Sequence, residues 1–365
     1  MRKHYIDRLR NAAILFLFPY HAARVFDDIS PFYAKGAPSA AASVLVHSSF
    51  WFMPLLFLLA GMSSYHALQR RTAAEFAKER FARLLVPFFF GALVVVPPQA
   101  YYAMRFHLGY RGGYGEFLVR YFTDFSDWSE YAGGISPAHL WFLLFLFLIS
   151  IALLPLMRLA ARAGYAPAWP RHPLLVLLPF AGPALLSVLP DASGKNIAVY
   201  AAYVMLGYFI AADDAVTDMI EKHRAGYLAG ALAGAAGILA ETYTVGAQSS
   251  ALSTAAHFLV CWTTLLAILG YGRRYLSGGS TFDTYFNPAA LPVYILHQTY
   301  LVIAAYYIIQ FADSGPAPFI LIMISSFGLS IASYAAIRRI RPLRVAFGLP
   351  ERSAAAAMGS RGRTQ

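Results

Sequence analysis

What most limits this chain is a row of apolar stretches, each about 20 residues long, separated by short polar segments. A stretch of that length crosses the hydrocarbon core of a bilayer as a helix, because a helix satisfies its own backbone polar groups where no water can. A soluble fold is excluded by composition. Of 365 residues, 59% are hydrophobic and 13% charged, too few charges to cover a water-soluble domain of this size. The sequence therefore predicts an all-α, polytopic membrane protein of about ten transmembrane helices. The expected spans are 9–27, 44–69, 84–103, 139–157, 174–190, 197–212, 225–243, 253–271, 288–311 and 318–337. Residues 1–345 are read as a single transmembrane domain and residues 346–365 as a basic, disordered cytoplasmic tail.

Charge sets the orientation. Of the 29 Lys and Arg residues, 23 fall in the alternate polar segments that begin with residues 1–10, and 6 fall in the others. Positive charge is retained in the cytoplasm, so both termini are expected there. The net charge of +11 then reflects topology and anchoring to the lipid bilayer; no nucleic-acid partner is expected. A single cysteine, Cys261, excludes an internal disulfide and a cysteine metal cluster. Neither an HExxH nor a GxxxxGK[ST] pattern is present, so no metal site and no nucleotide hydrolysis are expected. The longest outer loop, residues 104–138, is rich in Tyr, Phe and Trp. An interfacial aromatic belt is the first reading and a sugar-stacking surface the second.

The first span carries the chemistry. In "DRLRNAAILFLFPYHAARVFDD", residues 7–28, an apolar run is broken by Pro19, Tyr20, His21 and Arg24. A signal peptide would have a clean apolar core there and a small-residue cleavage site, so that reading is set aside. Arg10 and His21 are eleven residues apart, about 20° past three full helical turns and a rise of roughly 16 Å. They share a face. An ionisable side chain at membrane depth faces a bundle interior or a wet cavity, and Pro19 frees the carbonyl of Leu15, favouring a kink below His21.

An arginine, ten residues and a histidine in the first span resemble the integral-membrane acyltransferase type 3 family. Further landmarks recur in order: "YIDRLR" with "FPYH", "FWFMPLLFLLAGMSSY", "ERFARLLVPF", "HLWFLLFLFLIS" and "YFNPAALPVYILHQTY". They are most similar to the branch containing periplasmic glucan succinyltransferases. Two local departures, "LAGMSS" and the Gln298 that follows the histidine of "YILHQT", bear on the acceptor and leave the Arg10/His21 pair untouched. The resemblance implies a membrane-bound O-acyltransferase of the bacterial cytoplasmic (inner) membrane. It would move an acyl group, succinyl or acetyl, from cytoplasmic acyl-CoA to a hydroxyl of a carbohydrate or glycan acceptor at the periplasmic side. Acyl-CoA would be a donor substrate, with no tightly bound cofactor.

A sugar hydroxyl is a poor nucleophile at neutral pH, so the reaction needs a positioned base, and His21 is the candidate. Arg10 is paired with it in the catalytic face. The donor's phosphates need cations at the inner face; Arg10, Arg80 and Arg83 are assigned to them because a guanidinium binds phosphate bidentately. Arg80 and Arg83, three apart, are expected to share a helix face, while Arg70 and Arg71 are read as anchoring charges. Asp7, one turn before Arg10, would hold its side chain. His139 and Trp141 at the outer end of the fourth span, Glu241 near the end of the seventh and His297 beside Tyr294 are acceptor-side or supporting candidates. His47, His66 and His257 are read as local packing residues. The competing function is a multi-span transporter or exporter that uses the intramembrane His and Arg as a substrate or proton site; no internal repeat supports it.

Overall fold

The computed structural model describes residues 3–126, 131, 133–164, 172–244 and 250–350, and its regular elements are all helices. The tail expected at 346–365 lies mostly outside these residues. The helices that build the site are α1 (His4–Phe26), α2 (Phe52–Leu68), α3 (Ala73–Leu108), α4 (Trp141–Ala152), α5 (Ile197–Ala212), α6 (Asp214–Lys222), α7 (Arg224–Thr244), α8 (Ala251–Tyr275), α9 (Thr281–Ile308) and α10 (Pro316–Ile337). The chain forms a polytopic helical membrane protein. Long apolar helices enclose a continuous core that includes Leu17, Phe57, Leu143, Tyr203, Trp262 and Ile295.

Contacts sort the polar segments between two ends of the bundle. At one end Lys3 pairs with Asp214, Arg8 with Asp283 and Arg273 with Asp218. Gly348 lies against Arg83 and Pro87 at that end. At the other end Gly36 lies against the carbonyl of Asp313, Ala37 donates its N–H to the same carbonyl (2.8 Å), and His107 Nε2 donates to Phe32 O (2.6 Å). The segments expected inside thus meet one another, as do those expected outside.

Among the described residues, length and apolarity single out five helical stretches able to cross a membrane, or up to seven if two bent pairs each count as one span. Ten were expected, and the difference has local causes. Along α1, Arg10, Asn11, His21 and Arg24 dilute the apolar run, and glycines do the same in α7. The stretch expected at 174–190 is a short 3₁₀ segment, Leu175–Phe180, followed by Ala181–Leu186. One bent pair turns by 45° between Ala138–Ala152 and Leu154–Arg162, where Pro155 cannot donate to the preceding turn. The other turns by 98° at Asp213, whose carboxylate accepts the N–H of Ala215 (2.9 Å) and caps α6.

Two local features set the helix spacing around the site. Gly61 of α2 and Gly207 of α5 face each other's backbone: a Cβ on Gly61 would lie 1.9 Å from Val204 O, and one on Gly207 2.0 Å from Leu58 O. Small residues bring membrane helices this close. Within α3, Phe81–Leu85 and Gly91–Val95 are π-helical turns. The carbonyl of Val95 accepts from Thr299 Oγ1 of α9 (2.6 Å), and Thr299 accepts in turn from Gln99 Nε2 (2.7 Å).

Candidate active site

The site begins with the register of α1 on α9. The two helices run in the same direction with a nearly constant offset: Arg8 meets Asp283 (2.6 Å), Asn11 meets Asn287 (2.9 Å) and His21 meets His297 (ring centroids 5.2 Å). An ion pair and an amide pair at the entry therefore place two imidazoles side by side deeper in the bundle. His139 completes a cluster, its ring 5.0 Å from that of His297.

The backbone fixes how two of these rings are protonated. His297 Nδ1 lies 2.6 Å from Tyr294 O, and His139 Nε2 lies 2.9 Å from Ile295 O. A carbonyl only accepts, so both nitrogens carry hydrogen, and in the neutral rings His297 Nε2 and His139 Nδ1 keep their lone pairs. Tyr294 donates its hydroxyl hydrogen to the His139 carbonyl, tying the start of α4 to α9. His297 is fully buried and His139 nearly so. Four buried polar atoms in this region have no hydrogen-bond partner: His21 Nδ1, His139 Nδ1, His297 Nε2 and Gln298 Oε1. Buried polar atoms are ordinarily paired, so each of these four has hydrogen-bonding capacity open to a water or a ligand.

A cavity of about 600 Å³ opens beside the cluster. Along α1 it is lined by Leu17, Tyr20, His21 and Arg24, and elsewhere by His139, Trp141, Lys195, Tyr200, Tyr294 and Gln298, among others. Cys261 also reaches the wall, with the Tyr203 hydroxyl 3.6 Å from its sulfur. The lining on α1 stops at Leu17, seven residues and about two turns short of Arg10.

The cations expected to hold the donor form a separate cluster. Arg10 Nη2 is 2.8 Å from Asp7 Oδ1, as expected of a carboxylate one turn earlier. Arg80 donates to Ser64 Oγ (3.1 Å) and lies 4.6 Å over the Phe76 ring; Arg10, Arg71 and Arg83 act on it electrostatically. Arg83 Nη1 is 3.1 Å from Glu79 Oε1, while Arg71 takes the other oxygen at 2.8 Å. Arg80 and Arg83 therefore take different partners instead of presenting one face. The π-helical turn that contains Arg83 is wider than an α-turn, so three residues sweep less of the circle.

A family model described as "Acyltransferase domain", Acyl_transf_3, matches residues 3–335. The chain belongs to the acyltransferase type 3 family. No curated protein and no solved structure matches it. As a membrane acyltransferase of this family it takes an acyl donor and works in a lipid bilayer, and the exporter reading loses its ground.

For this acyltransferase, His21, His139, Trp141 and His297 come together at or beside one cavity, while Asp7, Arg10, Arg80 and Arg83 gather toward the other end of α1. Glu241 joins neither: it accepts from Ser253 Oγ (2.8 Å) and stays off the cavity wall. His257, expected only to pack locally, bonds Ser253 O (2.8 Å) and also lines the cavity. The loop aromatics are largely self-packed, with Tyr101 against Tyr110, Tyr114 and Phe117, and Tyr131 is the member of that loop's aromatic set that reaches the cavity among the described residues. Sequence reading did not assign roles to Arg24 or Lys195. Arg24 was visible as a charge inside an apolar run; nothing local to Lys195 pointed to a cavity.

Proposed function

We propose that the protein transfers an acyl group, succinyl or acetyl, from acyl-CoA to a hydroxyl of a carbohydrate-type acceptor, with His21 as general base. The observation that carries this reading is the buried histidine cluster. His297 Nε2 keeps its lone pair beside His21, so the N–H of a neutral His21 has an acceptor to turn toward. The remaining nitrogen of His21 then carries a lone pair, on a residue that lines the cavity. It takes the proton of the acceptor hydroxyl as that oxygen bonds to the thioester carbon. The carbon–sulfur bond breaks, and the imidazolium returns the proton to the coenzyme A thiolate. His297 packs its ring against that of His21, centroids 5.2 Å apart, and is itself held through Tyr294 O.

The donor is assigned to the other end of α1, with its phosphates at Arg10, Arg80 and Arg83 and its pantetheine arm directed along α1, a rise of roughly 16 Å, toward His21. The acceptor enters the cavity from the end that carries Lys195, the periplasmic end if positive charge is cytoplasmic. The test uses full-length protein in lipid nanodiscs, supplied with acetyl-CoA or succinyl-CoA and a glucan. Release of coenzyme A thiol that depends on the glucan, and falls roughly 10²-fold or more in His21→Gln, is expected. Acceptor-dependent release that is unchanged in that variant would remove His21 from the chemistry.

A further inference from the structure

The charges around the cavity are one-sided. Among the described residues no Asp or Glu lines it, whereas Arg24 and Lys195 do. Arg24 is paired with the buried Asp27, but Asp27 is shared with Lys35, so that trio keeps one positive charge. Lys195 differs from the ion-paired cations at the bundle ends. Among the described residues it has no carboxylate within ion-pair distance, and its ammonium donates only to Ser193 O (3.2 Å). Asp191, the acid nearest in sequence, turns its Oδ1 to the N–H of Gly194 (2.8 Å).

The segment that carries Lys195 is built, not loose. Ala192 and Lys195 exchange both backbone hydrogen bonds at 3.1 Å across a tight turn, with Ser193 and Gly194 in the left-handed region at φ 54° and 73°. From this turn the ammonium reaches 5.6 Å from the centre of the Trp141 ring on the cavity wall. Arg24 is placed in a related way. It lies 5.2 Å over Phe32, and Phe32 stacks on His21 with centroids 6.3 Å apart and planes 15° from parallel. Two cations on aromatic rings thus flank the base in a largely apolar chamber, where charge is screened less than in water.

We propose that the lip of the cavity is a binding site for a carboxylate, with Lys195 as its principal contact and Arg24 supplying the surrounding positive field. A carboxylate suits a single ammonium, and the aromatic platform admits the apolar or sugar body that bears it. Within the acyl-transfer reading on which its biological role rests, the carboxylate belongs either to the acyl group or to the acceptor. The binding site itself does not depend on turnover.

The experiment measures binding to full-length protein in nanodiscs by tryptophan fluorescence, with two matched pairs of probes: glucuronate against glucose, and succinate against succinamide. At least one anion should bind about tenfold tighter than its neutral partner, as a charge-assisted hydrogen bond requires, and added salt should erode the difference. Lys195→Met, which keeps the aliphatic stem over Trp141, should abolish the preference; Lys195→Arg should retain most of it. Preference for glucuronate assigns the carboxylate to the acceptor, and preference for succinate assigns it to the acyl group. No preference in either pair, or a preference unmoved by Lys195→Met, would overturn the proposal. Coenzyme A release is measured in parallel. An anion preference without acyl transfer would leave the site standing and remove the acyl-transfer reading instead.

Discussion

Replacing Gly207 with alanine would test the contact that fixes α2 against α5. The added Cβ would sit 2.0 Å from Leu58 O, 2.8 Å from Leu58 C and 3.1 Å from Leu58 Cα. All three atoms are backbone, so no side-chain rotation relieves the clash. The helices must part by about 1 Å to reach even the shortest tolerable separation, and overpacking of this kind costs roughly 1–3 kcal/mol. Gly61→Ala meets the mirror situation, 1.9 Å from Val204 O. One separation relieves both clashes. The double variant should therefore lose less than the sum of the singles, with a coupling of about 1 kcal/mol, as expected for neighbours that share a displacement. Thermal unfolding in a fixed detergent, followed by tryptophan fluorescence, reads all three. Gly237→Ala on exposed α7, with no heavy atom within 4 Å, is the control and should be neutral or slightly stabilising. A Gly207→Ala protein as stable as this control, or strict additivity in the pair, would refute the argument.

Further expectations follow from other parts of the molecule. Arg10→Ala should raise the KM for acyl-CoA, and Arg10→Lys should restore only part of it because the ammonium lacks the planar fork. Arg83→Ala should likewise act through KM, whereas Arg70→Ala should change little; equal effects of the two would reduce the donor assignment to general charge anchoring. A cysteine at Ser126, but not one at Ser353, should react with an impermeant reagent in intact cells, and equal labelling would sink the proposed orientation. Burial works against the charge of Asp28, beyond the end of α1, yet its contacts to Ser43, its own backbone N–H and His47 hold the carboxyl below its ordinary value. Its contribution to stability is present above about pH 4 and is lost as pH falls through that lowered value; Asp28→Asn should flatten the acid limb of a Tm against pH curve.

Much of the candidate site was legible because polar residues in apolar runs are conspicuous. His21, His297 and His139 each stand out in this way, and the phase between Arg10 and His21 already put both on one face. What the sequence did not reveal was which distant segments meet. The offset that brings His21 to His297 rests on Arg8 with Asp283 and Asn11 with Asn287, pairs 275 and 276 residues apart that look like ordinary helix-end polarity. Glu241 lies off the cavity wall, since nearness to a helix end says nothing about which residues line a cavity. Arg80 and Arg83 were given one face by α-helical spacing, and the π-helical turn at Phe81–Leu85 breaks that spacing with no signature in the residues. Gly61 was read as part of a family landmark, but its physical reason is the backbone of α5, which only the packed structure supplies.

Cys261 gives this enzyme an intrinsic probe. It is the sole thiol in the chain, 5% exposed, and it forms part of the cavity wall. On the proposed function, a small thiol reagent that reaches Cys261 through this cavity shares the route of the acceptor. Protection of that thiol by an added compound then reports occupancy of the chamber in the unmutated protein. Candidate acceptors can be ranked by how far they slow that reaction, with no need for any of them to be turned over.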